Sequence, residues 1–222
     1  MIRVVAIDGP AGSGKSTVAR GVGDALGLEV LDTGAMYRAV TLLALERGLD
    51  LRDGDAIARA AEQATLELGD PPGSVRLDGR DVSRDIRGPA VSAEVSAVSA
   101  HPEVRKLLRE RQRAWAEERG GGVVEGRDIG TVVFPDAPLK AFLTASDDER
   151  ARRRHRDEES AQRSADLAEV RDEVERRDAL DNKTTPLEPA PDAVMIDTTG
   201  RMVGDVVKEI VERFESVVGS KQ

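Results

Sequence analysis

The chain has 222 residues, no cysteine and a net charge of −9, although it carries 33 lysines and arginines. The absence of cysteine excludes disulfides, thiolate metal sites and cysteine nucleophiles, and no stretch reaches the roughly 20 consecutive apolar residues of a membrane span. The acidic balance argues against nucleic acid as a partner, because that binding depends on a basic surface. We therefore expect a cytoplasmic protein that binds a small phosphorylated ligand in local pockets of arginine.

Short apolar strands alternate with longer helical patterns along the chain, which is typical of an α/β fold with a parallel sheet. Gly27 and Gly48 are suited to end the first two helices as C-terminal caps. The predicted strands lie at about 2–7, 29–31, 122–125, 139–143 and 193–197. The predicted helices lie at about 15–26, 35–47, 89–119 with an interruption near His101-Pro102, from Ser146 onward, and 202–217. Ser146 and Glu149 are predicted to form a capping box at the start of the helix after Ser146.

Residues 64–86 interrupt this alternation of strands and helices. TLEL, SVRLDG and RDVS alternate apolar and polar residues, and they are joined by DPPG and DG. These are the signals of an antiparallel hairpin or three-stranded meander. The segment therefore predicts a small β-rich insert in the α/β core.

The strongest motif is GPAGSGKS at residues 9–16, which follows the first strand and opens the first helix. Its glycines allow successive backbone N–H groups to converge on phosphate oxygens, and the helix N-terminus adds partial positive charge. Lys15 is placed to reach the β- and γ-phosphates of a nucleotide, and the Ser16 hydroxyl to hold Mg²⁺. The predicted ATP-binding residues are Gly9, Pro10, Ala11, Gly12, Ser13, Gly14, Lys15, Ser16 and Thr17.

Three further charged segments have both a structural and a functional interpretation. EGRDIGT at 125–131 follows a buried strand at the edge where open α/β sheets bind ligands, which favours function. RARRRHR at 150–156 is equally consistent with function and with a solvated basic helix face. For ERRDALDN at 175–182, an i, i+4 ion pair between Arg177 and Asp181 is the favoured interpretation. Arg38 by itself is best explained as a helix-surface arginine.

Taken together, these segments resemble bacterial cytidylate kinase, a P-loop nucleoside monophosphate (NMP) kinase. GPAGSGKST, LDTGAMYRA, DVSRDIR, EGRDIGTVVFPDA and RRDALD occur in the expected order, and the resemblance spans about residues 3–200. It implies a P-loop NTPase fold, with a five-stranded parallel sheet flanked by helices, an NMP-binding insert and a short lid. The expected bounds are 64–88 for the insert, 152–166 for the lid, and 1–63, 89–151 and 167–222 for the core.

The resemblance also implies roles for individual residues. Lys15, Arg127 and the lid arginines Arg150, Arg153 and Arg154 become the catalytic candidates. The residues expected to contact CMP are Thr33, Arg38, Ser96, Arg105, Arg127, Asp128, Arg177 and Asp181. Asp128 and Ser96 are suited to accept from the cytosine N4 amino group, while Arg105 can donate to N3 and O2, and Asp181 can bind a ribose hydroxyl.

The chain departs from the family pattern directly after Asp181. The family usually continues with a serine and then an arginine, whereas this chain has Asn182-Lys183-Thr184-Thr185-Pro186. Lys183 is a candidate replacement for the arginine, but it lacks the planar fork of a guanidinium. One contact on the base side of the acceptor is therefore in doubt.

The resemblance thus implies Mg²⁺-dependent transfer of the γ-phosphoryl group of ATP to CMP or dCMP, by a monomer. Two alternatives remain: the same chemistry on another acceptor such as UMP, AMP or shikimate, and a P-loop switch protein that hydrolyses its nucleotide slowly. The EGRDIGT segment and the 64–86 insert argue against another acceptor. The arginine-rich lid and the absence of a guanine-reading NKxD motif argue against a switch.

Overall fold

The computed structural model describes residues 2–69, 73–160, 166, 170–172, 176, 178–180 and 187–219, with the backbone alone at 157–160. The strands are β1 (Arg3–Asp8), β2 (Val30–Asp32), β3 (Leu66–Gly69), β4 (Ser74–Leu77), β5 (Arg80–Asp81), β6 (Gly121–Gly126), β7 (Leu139–Thr144) and β8 (Val194–Asp197). The helices are α1 (Lys15–Leu26), α2 (Thr33–Glu46), α3 (Gly54–Gln63), α4 (Pro89–Ser99), α5 (Pro102–Glu118), α6 (Asp147–Ser160) and α7 (Val203–Gly219). Short 3₁₀ and π turns occupy Asp85–Arg87 and Ile129–Val133.

The first compact unit comprises the residues up to Val30 and those from Gly120 onward. The five-stranded sheet has the strand order β2-β6-β1-β7-β8, of which β2 contributes only Val30 to this unit, and β1 pairs in parallel with both β6 and β7. Apolar residues of β1 and β7 pack with α1 and α7 in one buried core, in which Phe214 and Ile210 are fully enclosed. The predicted α/β fold with a five-stranded parallel sheet is confirmed.

The second compact unit comprises Leu31–Arg119. Its helix α2 packs against α3 and α4, and α3 packs against α5. The predicted three-stranded meander is confirmed as the antiparallel sheet β3-β4-β5. Asp78 and Gly79, which join β4 to β5, both have positive φ, as a two-residue hairpin turn of type I′ requires.

The helix termini agree with the local signals in the sequence. Gly27 follows α1 at φ 63°, and Gly48 follows α2 at φ 60°, so both glycines serve as left-handed C-terminal caps. The predicted interruption of the long helix separates α4 from α5, which has Pro102 at its first residue. Helix α3 carried no prediction; it starts after Asp53, whose side chain accepts the N–H of Ala56 at 2.9 Å.

The bounds predicted for the insert and the lid stay predictions. Residues 70–72 and 161–165 lie outside the described part of the chain. Within the described residues, no helix is long and apolar enough to span a bilayer.

Candidate active site

The P-loop, residues 9–17, connects β1 to α1 at the carboxyl edge of the sheet. Gly9, Gly12 and Gly14 have φ values of 147°, 74° and 90°, a region that side chains other than glycine rarely adopt. Gly14 is the N-cap of α1 and has no side chain to satisfy the first N–H groups of the helix. The loop therefore directs backbone donors to the place where a phosphate can accept them.

The glycines also allow the loop to pack closely against its neighbours. A Cβ atom at Gly9 would lie 2.1 Å from the carbonyl oxygen of Leu143 in β7, and one at Gly12 would lie 2.8 Å from the carbonyl oxygen of Arg150 in α6. Because both neighbours are backbone atoms, neither can move aside cheaply. The conformation of the loop thus depends on contacts with β7 and α6.

We expect Gly9→Ala to lower the free energy of unfolding by about 1–3 kcal/mol, the range of overpacked interiors. Gly204→Ala is the matched control, because nothing lies within 4 Å of a Cβ atom at that position of α7. The control should raise stability by about 0.4–1 kcal/mol through the unfolded chain. Urea unfolding of both variants measures this, and equal midpoints would contradict the close packing at Gly9.

Two cationic side chains approach the P-loop carbonyls. Lys15 Nζ donates to the carbonyl oxygen of Pro10 at 2.7 Å, so its ammonium group lies over the loop. Arg127 Nη1 donates to the carbonyl oxygen of Gly9 at 3.2 Å. The structure therefore brings together Lys15, which is predicted to bind the nucleotide phosphates, and an arginine of the EGRDIGT segment. The two residues are 112 positions apart in the sequence.

The segment after β6 presents its charges at the edge next to the P-loop, because β6 is the parallel neighbour of β1. Glu125 is buried at the end of β6, and Arg127 and Asp128 follow at half-buried positions. From Asp128 the chain enters the π turn, in which Phe134 N–H donates to the carbonyl oxygen of Ile129 at 2.7 Å. Such turns interrupt regular structure frequently at functional sites.

The predicted lid arginines have well-defined contacts with the loop. Arg150, which is only 7% exposed, donates to the carbonyl oxygen of Ala11 at 3.1 Å and to Asp147 at 2.7 Å. Arg153 donates to the carbonyl oxygen of Ser13 at 3.3 Å and to the hydroxyl oxygen of Thr198 at 2.9 Å. Both guanidinium groups thus hold the carbonyl side of the P-loop.

Helix α6, which carries these arginines, begins with half of the predicted capping box. Ser146 Oγ accepts the N–H of Glu149, as a capping box requires. The N–H of Ser146, however, donates to Thr199 Oγ1 at 2.9 Å, and the Glu149 carboxylate instead accepts from Arg153 at 2.8 Å. The predicted reciprocal bond is therefore wrong, because a residue after β8 takes that donor.

Asp178 is a site residue that the sequence reasoning missed. Its carboxylate accepts the N–H of Ala11 at 3.2 Å, lies 3.5 Å from Arg127 Nη1, and forms a close ion pair with Arg150. One carboxylate thus joins the P-loop to both arginines. Asp178 lies in the segment RRDALD, in which roles were predicted for Arg177 and Asp181 but not for Asp178.

We expect Asp178→Asn to lower the free energy of unfolding by about 1–3 kcal/mol and to weaken ATP binding. An amide cannot neutralise the buried Arg150 or fix it against the loop, and Asp147 is then left as its remaining carboxylate partner, so one half of a buried charge network is lost. Thermal unfolding and titration with ATP measure the two effects. Asp172→Asn is the control, because Asp172 is exposed; equal behaviour of the two variants would exclude a role for Asp178 at the P-loop.

Asp8, the last residue of β1, is a second residue that carried no prediction. It is 6% exposed and accepts the N–H groups of Ile129 at 2.8 Å and Gly130 at 2.7 Å. Burial raises the pKa of the Asp8 carboxyl to about 6, against the lowering effect of the two N–H groups. The only signal in the sequence is an acidic residue at the end of an otherwise apolar strand.

The second unit holds four of the predicted acceptor residues, Thr33 and Arg38 on α2, Ser96 on α4 and Arg105 on α5. Arg38 is 7% exposed, and its Nη1 donates to the carbonyl oxygen of Ile86 at 3.1 Å and to Ser92 Oγ at 3.0 Å. It is therefore not the solvated surface arginine that its sequence context favours. Ser96 lies one helical turn after Ser92 and so shares the face of α4 that binds Arg38.

Two predicted acceptor residues, Arg177 and Asp181, lie outside the described residues, as does the altered loop at 182–186. Their roles stay predictions.

The Ser16 hydroxyl, as the candidate protein ligand, fits a magnesium ion that binds together with its nucleotide. In the described part of the chain, no group of three or more His, Cys, Asp or Glu side chains is arranged to hold a metal. Mg²⁺ at nucleotide sites usually keeps several waters and takes few protein oxygens in addition to phosphates. A single hydroxyl, that of the half-buried Ser16 in the first turn of α1, is consistent with such a site.

Comparison with known proteins identifies the family. The chain matches the family model Cytidylate kinase over residues 5–216. It is 51% identical to the cytidylate kinase of Mycobacterium avium (strain 104) over 221 residues, which covers 96% of this chain and 97% of that protein. It is 48% identical to the cytidylate kinase of Carboxydothermus hydrogenoformans, covering 98% of this chain and 97% of that protein.

A solved structure supports the fold independently. An uncharacterized protein from Eubacterium ventriosum ATCC 27560 superposes with a TM-score of 0.52 at 14% identity, covering 96% of this chain and 98% of that one. At this level of identity the likeness concerns the fold alone. The family match and the high identity to the two relatives, in contrast, extend over nearly the whole length, and the chain belongs to the cytidylate kinase family.

Proposed function

We propose that the chain transfers the γ-phosphoryl group of ATP to CMP, and also to dCMP, giving ADP and CDP or dCDP. The observation that carries this proposal is the contact of Arg127 with the P-loop, at 3.2 Å from the carbonyl oxygen of Gly9. A residue assigned to the acceptor by resemblance thus lies against the loop assigned to the donor. A guanidinium group there can neutralise charge on both phosphates as they approach each other.

The reaction requires positioning and charge stabilisation more than acid–base catalysis. A phosphomonoester is largely a dianion at neutral pH and needs no general base to become a nucleophile. The obstacle is that two strongly anionic ligands must approach in line. Lys15 would serve the donor phosphates and Arg127 the acceptor phosphate, while Ser16 would hold the Mg²⁺ that neutralises the β- and γ-oxygens.

The arginines of α6 contribute first by fixing the P-loop. Arg150 and Arg153 donate to the carbonyl oxygens of Ala11 and Ser13, and this orients the N–H groups of the same peptides away from α6. We propose that this preorganisation is part of their function. Contact of Arg150, Arg153 or Arg154 with the transferred group stays a prediction.

In the second unit, Arg38 is the candidate for binding the acceptor phosphate, because Ser92 and the Ile86 carbonyl hold its buried guanidinium group. Ser96, on the same face of α4, is the candidate acceptor for the cytosine N4 amino group. The monomeric state, the cytoplasmic location and the absence of a nucleic-acid partner stay predictions from the sequence.

An acceptor panel tests the proposed substrate. Purified protein is incubated with Mg²⁺-ATP and CMP, dCMP, UMP, AMP or shikimate, and ADP release is measured for each. UMP presents O4 where CMP has an amino group, so acceptors built for that group would be left unpaired. We therefore expect CMP and dCMP to react fastest and UMP much more slowly.

Two outcomes would overturn the proposal. Weak CMP turnover beside fast turnover of UMP, AMP or shikimate would assign the same chemistry to another acceptor. Slow hydrolysis of ATP that no acceptor accelerates would favour the switch protein.

A further inference from the structure

We propose that Asp8 is a positioning residue for phosphoryl transfer, which aims Arg127 and Asp128 by binding the two N–H groups that follow them. The inference rests on the proposed function, because it takes the segment after β6 to be part of the acceptor site. It concerns a residue that is only 6% exposed. Its evidence is the geometry at the ends of two neighbouring strands.

The carboxylate of Asp8 connects the exits of β1 and β6. In the sheet register Asp8 lies opposite Gly126, so its side chain is next to the point where β6 ends. Oδ1 accepts the N–H of Ile129 at 2.8 Å, and Oδ2 accepts the N–H of Gly130 at 2.7 Å. Attachment at two consecutive peptides fixes both the position and the orientation of the chain that leaves Asp128.

The same residue adjoins the P-loop, since Gly9 follows it directly. Arg127 donates to the carbonyl oxygen of Gly9, the residue directly after Asp8. The segment after β6 is therefore tied to the end of β1 twice, by the Arg127 side chain and by the Asp8 carboxylate. A shift of the segment after β6 would withdraw Arg127 from the P-loop. A displacement of about 1 Å at a reacting centre can cost two orders of magnitude in rate.

A buried carboxylate costs desolvation free energy that a neutral side chain in a purely structural role would avoid. Its surroundings raise the pKa of Asp8 to about 6, chiefly through burial, although the N–H groups of Gly130 and Ile129 act in the opposite direction. The folded chain thus binds the Asp8 proton more tightly than the unfolded chain, and this stabilising contribution is lost as the pH rises through about 6. At neutral pH the folded chain thus keeps Asp8 in the form that its buried surroundings favour less, which is a pattern of residues kept for function.

The charged groups around Asp8 come from three directions. Asp128 raises its pKa and Lys15 lowers it. From β7, the stem of Lys140 packs on the same turn, because a Cβ atom at Gly130 would lie 3.1 Å from Lys140 Cδ and 3.3 Å from Asp8 Oδ2. The ammonium group of Lys140 is engaged elsewhere, at 2.8 Å from Asp192 Oδ1. Lys15 and Lys140 carry only donor groups, so neither can replace the carboxylate as acceptor for the two N–H groups.

Asp8→Asn is the informative substitution, because asparagine preserves the shape of the side chain but has one acceptor oxygen where aspartate has two. One of its terminal atoms is an NH₂ donor, which would face a backbone N–H group. We expect Asp8→Asn to lower kcat/KM for CMP about tenfold by this misplacement, with KM for ATP changed less than about twofold. The thermal midpoint at pH 8 should change little, since the removal of a buried charge and the loss of an acceptor for one buried N–H group act in opposite directions. Asp24→Asn, the same change on the exposed face of α1, is the control and should match the wild type.

A double-mutant cycle distinguishes positioning from general damage. If Asp8 acts through Arg127, Asp8→Asn should cost less than about threefold when Arg127 is already alanine. Near-normal CMP kinetics of Asp8→Asn would overturn the proposal. So would an equal loss for CMP and ATP with a lower thermal midpoint, or a full tenfold loss in the Arg127→Ala background.

The test separates this inference from the proposed function. If the wild-type chain does not phosphorylate CMP, the proposed function fails. The cycle is then measured with the acceptor that the panel identifies, and the same outcomes decide the role of Asp8.

Discussion

Lys15→Ala should reduce ADP production from ATP and CMP by about 10²-fold or more, the loss typical when one preorganised charge stabiliser is removed. The side chain lies over the P-loop, where its Nζ donates to the carbonyl oxygen of Pro10 at 2.7 Å. An alanine there leaves the donor phosphates without their lysine. The initial rate of ADP release at saturating CMP measures the effect.

The fold of this variant should persist, because the loss of one partly buried hydrogen bond costs only about 0.5–1.5 kcal/mol. Lys208→Ala is the matched control: its side chain is 75% exposed and its ammonium group lies 3.8 Å from Glu212. The control should keep wild-type turnover. Near-normal ADP production by a folded Lys15→Ala variant would exclude the assigned role of Lys15.

Arg127→Ala is expected to lower kcat/KM for CMP by about 10²-fold or more. Its guanidinium group contacts the P-loop through Gly9 and lies 3.5 Å from Asp178, so its removal deletes a positive charge beside the loop that is proposed to bind the donor phosphates. Steady-state kinetics with each substrate varied in turn measures the loss. Arg127→Lys should recover only part of the activity, because an ammonium group keeps the charge but not the planar fork.

Arg213→Ala serves as the matched control for this variant, since Arg213 is an exposed arginine whose partner is Glu209 at 3.0 Å on the same helix. Such surface pairs contribute little to stability, so the control should retain both midpoint and rate. If Arg127→Ala phosphorylated CMP as fast as Arg213→Ala, the proposed link between the EGRDIGT segment and transfer would be wrong.

Local patterns in the sequence were sufficient for most elements of the sheet and for the P-loop. Helix α1 begins and ends at the predicted residues, because glycine terminates it at both ends and helix caps depend on near neighbours. The hairpin at Asp78-Gly79 was predictable for the same reason, since only a few residue types adopt positive φ at both positions.

Two local features were missed or only partly right. Helix α3 carried no prediction although Ile57, Ala60 and Ala61 recur at helical spacing on its buried face and Asp53 caps its first turn, so here the local signal was present. The capping box at Ser146 was half right, because Thr199 takes the N–H that the local pattern assigned to Glu149. At Ser146 the deciding partner is 53 residues away, and a local pattern carries no information about such a partner.

The P-loop, the α/β alternation and the charged EGRDIGT segment were determined by the sequence alone, because each depends on residues that are close neighbours in the chain. The tertiary structure decided which charges meet. Placing β6 beside β1 brings Arg127 to Gly9 and the N–H groups of Ile129 and Gly130 to Asp8. The contacts of α6 and of Asp178 with the loop are equally non-local, since Asp178 lies 167 positions after Ala11 in the sequence. Strand order and long-range packing create these contacts, and residue spacing along the chain does not encode them directly.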